Sequence, residues 1–134
     1  MRTDGWTIAL AIGGIGNLLN GAWMLADPPG WYATIPGVTG SGPLNEHFVR
    51  DIGALYALMG MALMWAALRP ARRVMLVGVV AAFYVLHALV HVLDTMRGLF
   101  PPGQWAIDAV PIYLPALVLV GAVVALVRRA PRPA

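Results

Sequence analysis

Cysteine and lysine are both missing from this 134-residue sequence, and acidic residues are few. Without cysteine there can be no disulfide, no thiolate metal site and no thiol redox chemistry. Without lysine, all nine basic residues are arginines. They are split among the chain ends and one short loop and form no continuous face, so the net charge of +3 does not read as nucleic-acid affinity. Charge of either sign is scarce: 11% of residues are charged against 60% hydrophobic. A water-facing shell cannot be built from so little polar surface, which excludes a soluble domain and makes the surrounding medium lipid. Alternating strands of about ten residues are also lacking, which excludes a closed barrel. Helices remain, because lipid offers no partners to unpaired backbone groups.

Four apolar runs are present, over about residues 6–26, 48–68, 74–93 and 107–127. Each is near the ~20 residues that cross a bilayer core of ~30 Å. The length fits a single domain, residues 1–134, and the expected fold is an all-α bundle of four transmembrane helices. The first run is too long for a signal-peptide core, carries Asn17 and Asn20, and is followed by no clear cleavage site, so it reads as a span. Arg2, Arg69, Arg72, Arg73, Arg128, Arg129 and Arg132 fall on one side of a four-span topology, and only Arg50 and Arg97 on the other. The positive-inside rule then places both termini in the cytoplasm of a cell (inner) membrane protein. The connection RPARR is so short that spans two and three must be antiparallel neighbours. The connections over 27–47 and 94–106 are rich in Pro and Gly and hold Trp31, Tyr32, Ile35, Phe100 and Trp105, so they are expected to cap the outer face at the interface.

Polar groups concentrate at that outer end. Asp27, Glu46, Asp51, Asp94 and Asp108 lie toward it, as do all three histidines, His47, His87 and His91. In YVLHALVHVLD, Tyr84, His87, His91 and Asp94 follow at helical spacing and share one face. With Asp94 at the outer end, a 1.5 Å rise puts His91 ~4.5 Å and His87 ~10 Å inward, and Asp51 ~6 Å deeper than His47. Neighbouring spans two and three could therefore aim both stripes at one chamber. Ionisable groups in a membrane cost about 2.5–3.5 kcal/mol at its centre on insertion scales and normally face the bundle interior.

Three readings of such a chamber follow. In the first, it is structural glue: His87 and His91 bond Asp51 and one another, Glu46 pairs with Arg50, and Asp94 with Arg97. In the second, His47, His87, His91 and Asp94 hold a divalent transition metal such as Zn, Fe, Cu or Mn, with Asp51 or Glu46 fixing a histidine tautomer. A b-type haem held by one histidine from each of two helices is a variant of this reading. In the third, the site is metal-free acid–base machinery of an isomerase or cyclase kind, in which Asp51, Tyr84 and Glu46 are candidate catalytic groups.

Asn17, Asn20 and Asp27 are placed to complete the chamber from the first span, and Tyr113 from the last. Gly13, Gly14, Gly16 and Gly21, with Gly53, Ala57 and Gly60, are packing residues that let helices approach. Asp108 reads as an acid favoured at a helix start. Pro111 falls in a first helical turn, and Pro115 should bend the last span. An enzyme acting on a small or lipid-soluble substrate is expected. The rival is a non-catalytic membrane subunit or binding protein whose cap docks a partner, and a homo-oligomer is compatible with either.

The block IPGVTGSGPLNEHFVRDIGALY, the HxxxHxxD helix and the closing D…YLPAL span together resemble small bacterial four-helix membrane proteins that are broadly DoxX-like. The resemblance covers nearly the whole chain and is most specific at NEHFVRDIG. It implies a four-helix inner-membrane fold, gives no secure activity, and matches Asn45, Glu46, His47, Arg50, Asp51, His87, His91 and Asp94 to the group's polar motifs. The association of that group with redox and quinone chemistry has no counterpart in a site visible in this sequence.

Overall fold

The computed structural model describes residues 4–129; Arg2 and Arg132 lie outside the described residues. The chain is all-α. Helix α1 spans Gly5–Ala26, α2 Pro28–Thr34, α3 Glu46–Leu68, α4 Arg73–Met96, α5 Gln104–Asp108 and α6 Leu114–Arg129. Short 3₁₀ turns occupy Val38–Ser41 and Pro70–Arg72. A π-helical turn, Ala109–Tyr113, joins α5 to α6 into one rod. Four stretches, Gly5–Ala26, Glu46–Leu68, Pro70–Met96 and Gln104–Arg129, are long and apolar enough to cross a membrane, as a multi-pass membrane protein requires. Outward-facing residues such as Ile12, Leu19, Leu58, Met61, Leu86 and Leu117 are more than half exposed, as side chains solvated by lipid should be.

Small residues decide the tightest contact. Gly14 lies against Gly60 and Gly21 against Gly53, each pair seven residues further along its helix in opposite directions, so α1 and α3 run antiparallel with their backbones touching. A Cβ on Gly21 would stand 2.6 Å from the Gly53 carbonyl oxygen, and one on Gly60 2.8 Å from that of Gly14. Lipid supplies no hydrophobic drive between helices, so this close packing is itself the attraction. Gly13 and Gly16 have ordinary or open surroundings and carry no such constraint. On the other side of the bundle α4 packs on α6, and α3 and α4 are antiparallel neighbours across the turn at Pro70–Arg72.

The two ends of the bundle differ. Toward the chain termini the core is apolar and closed, around Leu10, Leu63, Ala66, Val77, Val80 and Leu126. Arg73 locks that end. Its guanidinium, 5% exposed, donates to the carbonyls of Ala66 and Ala67 at 3.2 and 3.3 Å, to the Thr7 hydroxyl at 2.8 Å, and to Asp4 at 2.7 and 3.0 Å. A cation at the start of α4 opposes that helix's dipole, but here it satisfies the last carbonyls of α3, where positive charge is favoured. Asp4 also caps α1 by accepting from the Thr7 amide at 2.8 Å. At the same end Arg129 lies over the Trp6 ring at 6.0 Å. At the opposite, cap end the helices spread, and α2 with the 3₁₀ turn at Val38–Ser41 folds across the opening.

The irregularity in the last span falls one turn earlier than the sequence implies. Pro111 lies within the rod, inside the π turn, and Leu114 bonds back to Ala109. Pro111 and Pro115 both lack a donor, and each ring crowds the carbonyl four residues before it; widening the turn between them relieves both.

Both ends of this architecture can be tested by substitution. Gly53→Val would drive a side chain into Met24, because a Cβ at position 53 would lie 2.7 Å from the Met24 Cβ. It should cost about 1–3 kcal/mol or more in thermal unfolding, while Gly16→Ala, which meets nothing, is neutral. The Arg73 guanidinium and the Thr7 donors hold the Asp4 carboxyl well below the usual carboxylate range. A lowered folded value stabilises above the unfolded carboxylate value of about 3.9 and is lost as pH falls below it. Asp4→Asn should therefore lower the melting temperature at pH 7, and the gap to the wild type should close as pH falls below about 4.

Candidate functional site

A cavity of about 650 Å³ fills the cap end between the α1/α3 pair and the α4/α6 pair. Its walls take Asn17, Asn20 and Met24 from α1, Phe48, Ile52 and Tyr56 from α3, and Pro111 and Ile112 from the π turn. Along α4, Tyr84, His87, His91 and Asp94 all line it. The stripe read from the sequence is thus one wall of a real chamber.

Each polar group on that wall has distinct surroundings. Tyr84 donates to Asn17 Oδ1 at 2.8 Å and bridges α4 to α1. The His87 ring stacks on Phe83 at 5.9 Å with 9° between planes and meets His91 edge-on at 4.8 Å. His91 Nδ1 lies 2.9 Å from Asp108 Oδ2, and Gln104 Nε2 donates to Asp108 Oδ1 at 2.8 Å. The Asp108 side chain is only 3% exposed and that of His91 19%. With Asp108 ionised, this bond requires the proton of a neutral His91 on Nδ1, which leaves Nε2 as a lone pair. The Asp94 carboxylate has no hydrogen-bond or ion-pair partner among the described residues, although its backbone carbonyl accepts from the Leu99 amide at 3.0 Å.

The roof is built locally. Asp27 ends α1 and caps α2, accepting from the Gly30 amide at 3.0 Å, with Pro28 and Pro29 starting the new helix. Trp31 Nε1 donates to Asn20 Oδ1 at 3.0 Å, and Tyr32 donates its hydroxyl to the Gly42 carbonyl. Gly37 adopts φ 85°, and a Cβ there would lie 2.7 Å from Gln104 Nε2. The roof therefore rests on the same glutamine that holds Asp108.

Several expected members are elsewhere. His47 and Asp51 do share a face and approach to 3.4 Å, but their side chains are 88% and 63% exposed and neither lines the cavity. Glu46 pairs with Arg50 at 3.0 Å on the exposed surface, as the spacing implied. The cause is helical rotation. Gly53 and Gly60 must face α1, so Asn45, Phe48 and Ile52 turn to the cavity, and positions 47 and 51 turn away from it. Asp27 is spent on its cap and does not line the chamber, and no Asp94–Arg97 pair forms among the described residues. Tyr113 belongs to a separate apolar groove between α4 and α6, near Trp105.

These positions bear on the metal and haem readings. Among the described residues no group of three or more His, Cys, Asp and Glu side chains is arranged to hold a metal ion. The two cavity histidines share α4, so histidines from two helices do not flank a haem-sized slot. Asp108 and Gln104, by contrast, join the site although spacing gave them no such role. Their signal was an acid opening an apolar span with a glutamine four residues earlier and no cation beside it.

The chain matches no protein-family model, no curated protein and no solved structure.

Gly37→Ala tests the roof contact. Strain at φ 85° and the clash with Gln104 should displace the amide from Asp108. The expected result is a changed His91 ring-nitrogen NMR signal with α1–α3 packing intact; an unchanged signal would separate the roof from the His91–Asp108 pair.

Proposed function

We propose that this protein is a cell (inner) membrane protein whose cap end faces outward, and that its cavity takes up a small lipid-soluble molecule whose polar end exchanges a proton with His91. The arginine asymmetry supports the orientation. Arg69, Arg72, Arg73, Arg128 and Arg129 lie at the terminal end, and Arg50 and Arg97 at the cap end.

The buried His91–Asp108 pair at 2.9 Å carries the chemical part of the reading. Asp108 orients the ring, stabilises the imidazolium once His91 takes a proton, and leaves Nε2 as the general base. Tyr84, held by Asn17, offers a hydroxyl oxygen on the same wall. No metal enters this scheme, because the four expected ligands do not converge and His47 is on another face. The DoxX-like resemblance is strongest at NEHFVRDIG, whose charged residues point away from the cavity, so it supports the fold more than the chemistry.

Structural glue is the competing reading, because the pair also ties α4 to the start of the last rod. Magnitudes favour a site. Hydrogen bonds in membranes return ~0.6 kcal/mol on average, whereas an acid in a span costs up to about 2.5–3.5 kcal/mol. A purely cohesive role would be better filled by close-packed small residues such as those that join α1 and α3.

The test compares wild type, His91→Ala and Asp108→Asn in nonionic detergent. His91 should show the Nδ1–H tautomer by nitrogen NMR and lose it in Asp108→Asn. Uptake of a small aromatic probe into the cavity should fall at least tenfold in His91→Ala, with the melting temperature changed by only a few degrees. Stoichiometric metal that disappears in His91→Ala, or probe uptake indifferent to both changes, would overturn the reading.

A further inference from the structure

The polar atoms left over in the cavity define the charge of what it accepts. Asp108 is engaged by His91 and Gln104, but the Asp94 carboxylate lines the chamber with no partner among the described residues. Gln104 is 2% exposed, and its amide is oriented by donating to Asp108, so its Oε1 is a buried acceptor without a donor. A buried acceptor left unpaired is costly, and such an atom asks for an N–H or O–H from outside the chain. No arginine lines the cavity, and the chain has no lysine to supply one. Arg50, the cation nearest along α3, is held by Glu46 on the outer surface.

Aromatic rings stand among the remaining lining residues. Trp31 and Tyr32 come from the roof, and Tyr56 and Tyr84 from α3 and α4. Trp31 and Tyr32 have no ring partner among the described residues, and Tyr56 and Tyr84 meet their neighbours only edge-to-face. Aromatic faces in a chamber that also holds an unpaired carboxylate attract cations, most strongly where water is displaced. A volume of about 650 Å³ suits a drug-sized molecule.

Resting on the reading that the cavity is a ligand site, we infer that its ligand is a lipid-soluble primary or secondary amine bound as the ammonium ion. Asp94 balances its charge, Gln104 Oε1 accepts one of its N–H groups, and the roof and α3 rings cover its apolar body. His91 Nε2 stands on the same wall to receive its proton. An anionic molecule finds no arginine or lysine here and would meet the Asp94 carboxylate, and a phospholipid headgroup would bring a phosphate against the same charge.

The experiment is calorimetric titration of the whole chain in a nonionic detergent with three probes of one size: 1-naphthylmethylamine, 1-naphthylmethanol and 1-naphthoate, each corrected for partition into empty micelles. The amine should bind at least tenfold tighter than the alcohol, and the naphthoate not at all. Asp94→Asn, at a partly exposed position that no fold contact uses, should bring the amine to the affinity of the alcohol and leave the alcohol unchanged. If the alcohol or the naphthoate binds as well as the amine, or Asp94→Asn keeps the preference, the ammonium inference is overturned while the cavity remains a ligand site. If none of the three binds, both readings fall.

Discussion

Backbone contact between α1 and α3 sets the rest of the structure. With Gly14 on Gly60 and Gly21 on Gly53, neither helix can rotate without driving a Cβ into a carbonyl. That rotational lock determines which residues of α3 see the interior. It directs Phe48, Ile52 and Tyr56 into the cavity and turns Glu46, His47, Arg50 and Asp51 away from it. In a membrane the lock matters more than it would in water. Apolar side chains gain nothing from burial when lipid is the alternative, so close packing and polar contacts must carry the specificity.

The same logic explains how the two ends divide the work. At the terminal end Arg73 gathers α1, α3 and α4 through the Ala66 and Ala67 carbonyls, Thr7 and Asp4, and a small apolar core closes beneath it. At the cap end there is no comparable clamp on the axis. The helices are joined around a space by Tyr84–Asn17 on one side and His91–Asp108–Gln104 on another, with Trp31–Asn20 holding the roof. The π turn at Ala109–Tyr113 places Asp108 against α4 while letting α6 resume below it. A rigid half thus supports an open half, which is where chemistry can be housed without loosening the bundle.

Much of the fold is legible in the sequence because membrane helices follow from run length alone. The expected spans differ from the observed ones by only a few residues, and the α4 stripe lies on one face as expected because its spacing is internal to one helix. The composition of the cavity is less legible. Spacing shows that His47 and Asp51 share a face, and it cannot say which way that face turns. The short RPARR turn makes α3 and α4 look like the organising pair, while the glycines that orient α3 look like packing residues and no more. Asp108 is hidden for a related reason. An acid at a helix start has a sufficient local explanation in the dipole, so its contact with a histidine seventeen residues away leaves no trace in spacing.

Asp108 also shows why the polar groups of the cap end form one system. A carboxylate at 3% exposure near the head of an apolar span needs more than a single neutral partner. It receives one from α4 and one from its own helix, and the second, Gln104, touches the roof beside Gly37. A side chain added at position 37 would therefore press on the glutamine that holds this carboxylate. The roof, the glutamine, the carboxylate and His91 are thus joined in one chain of contacts that spans residues 37 to 108.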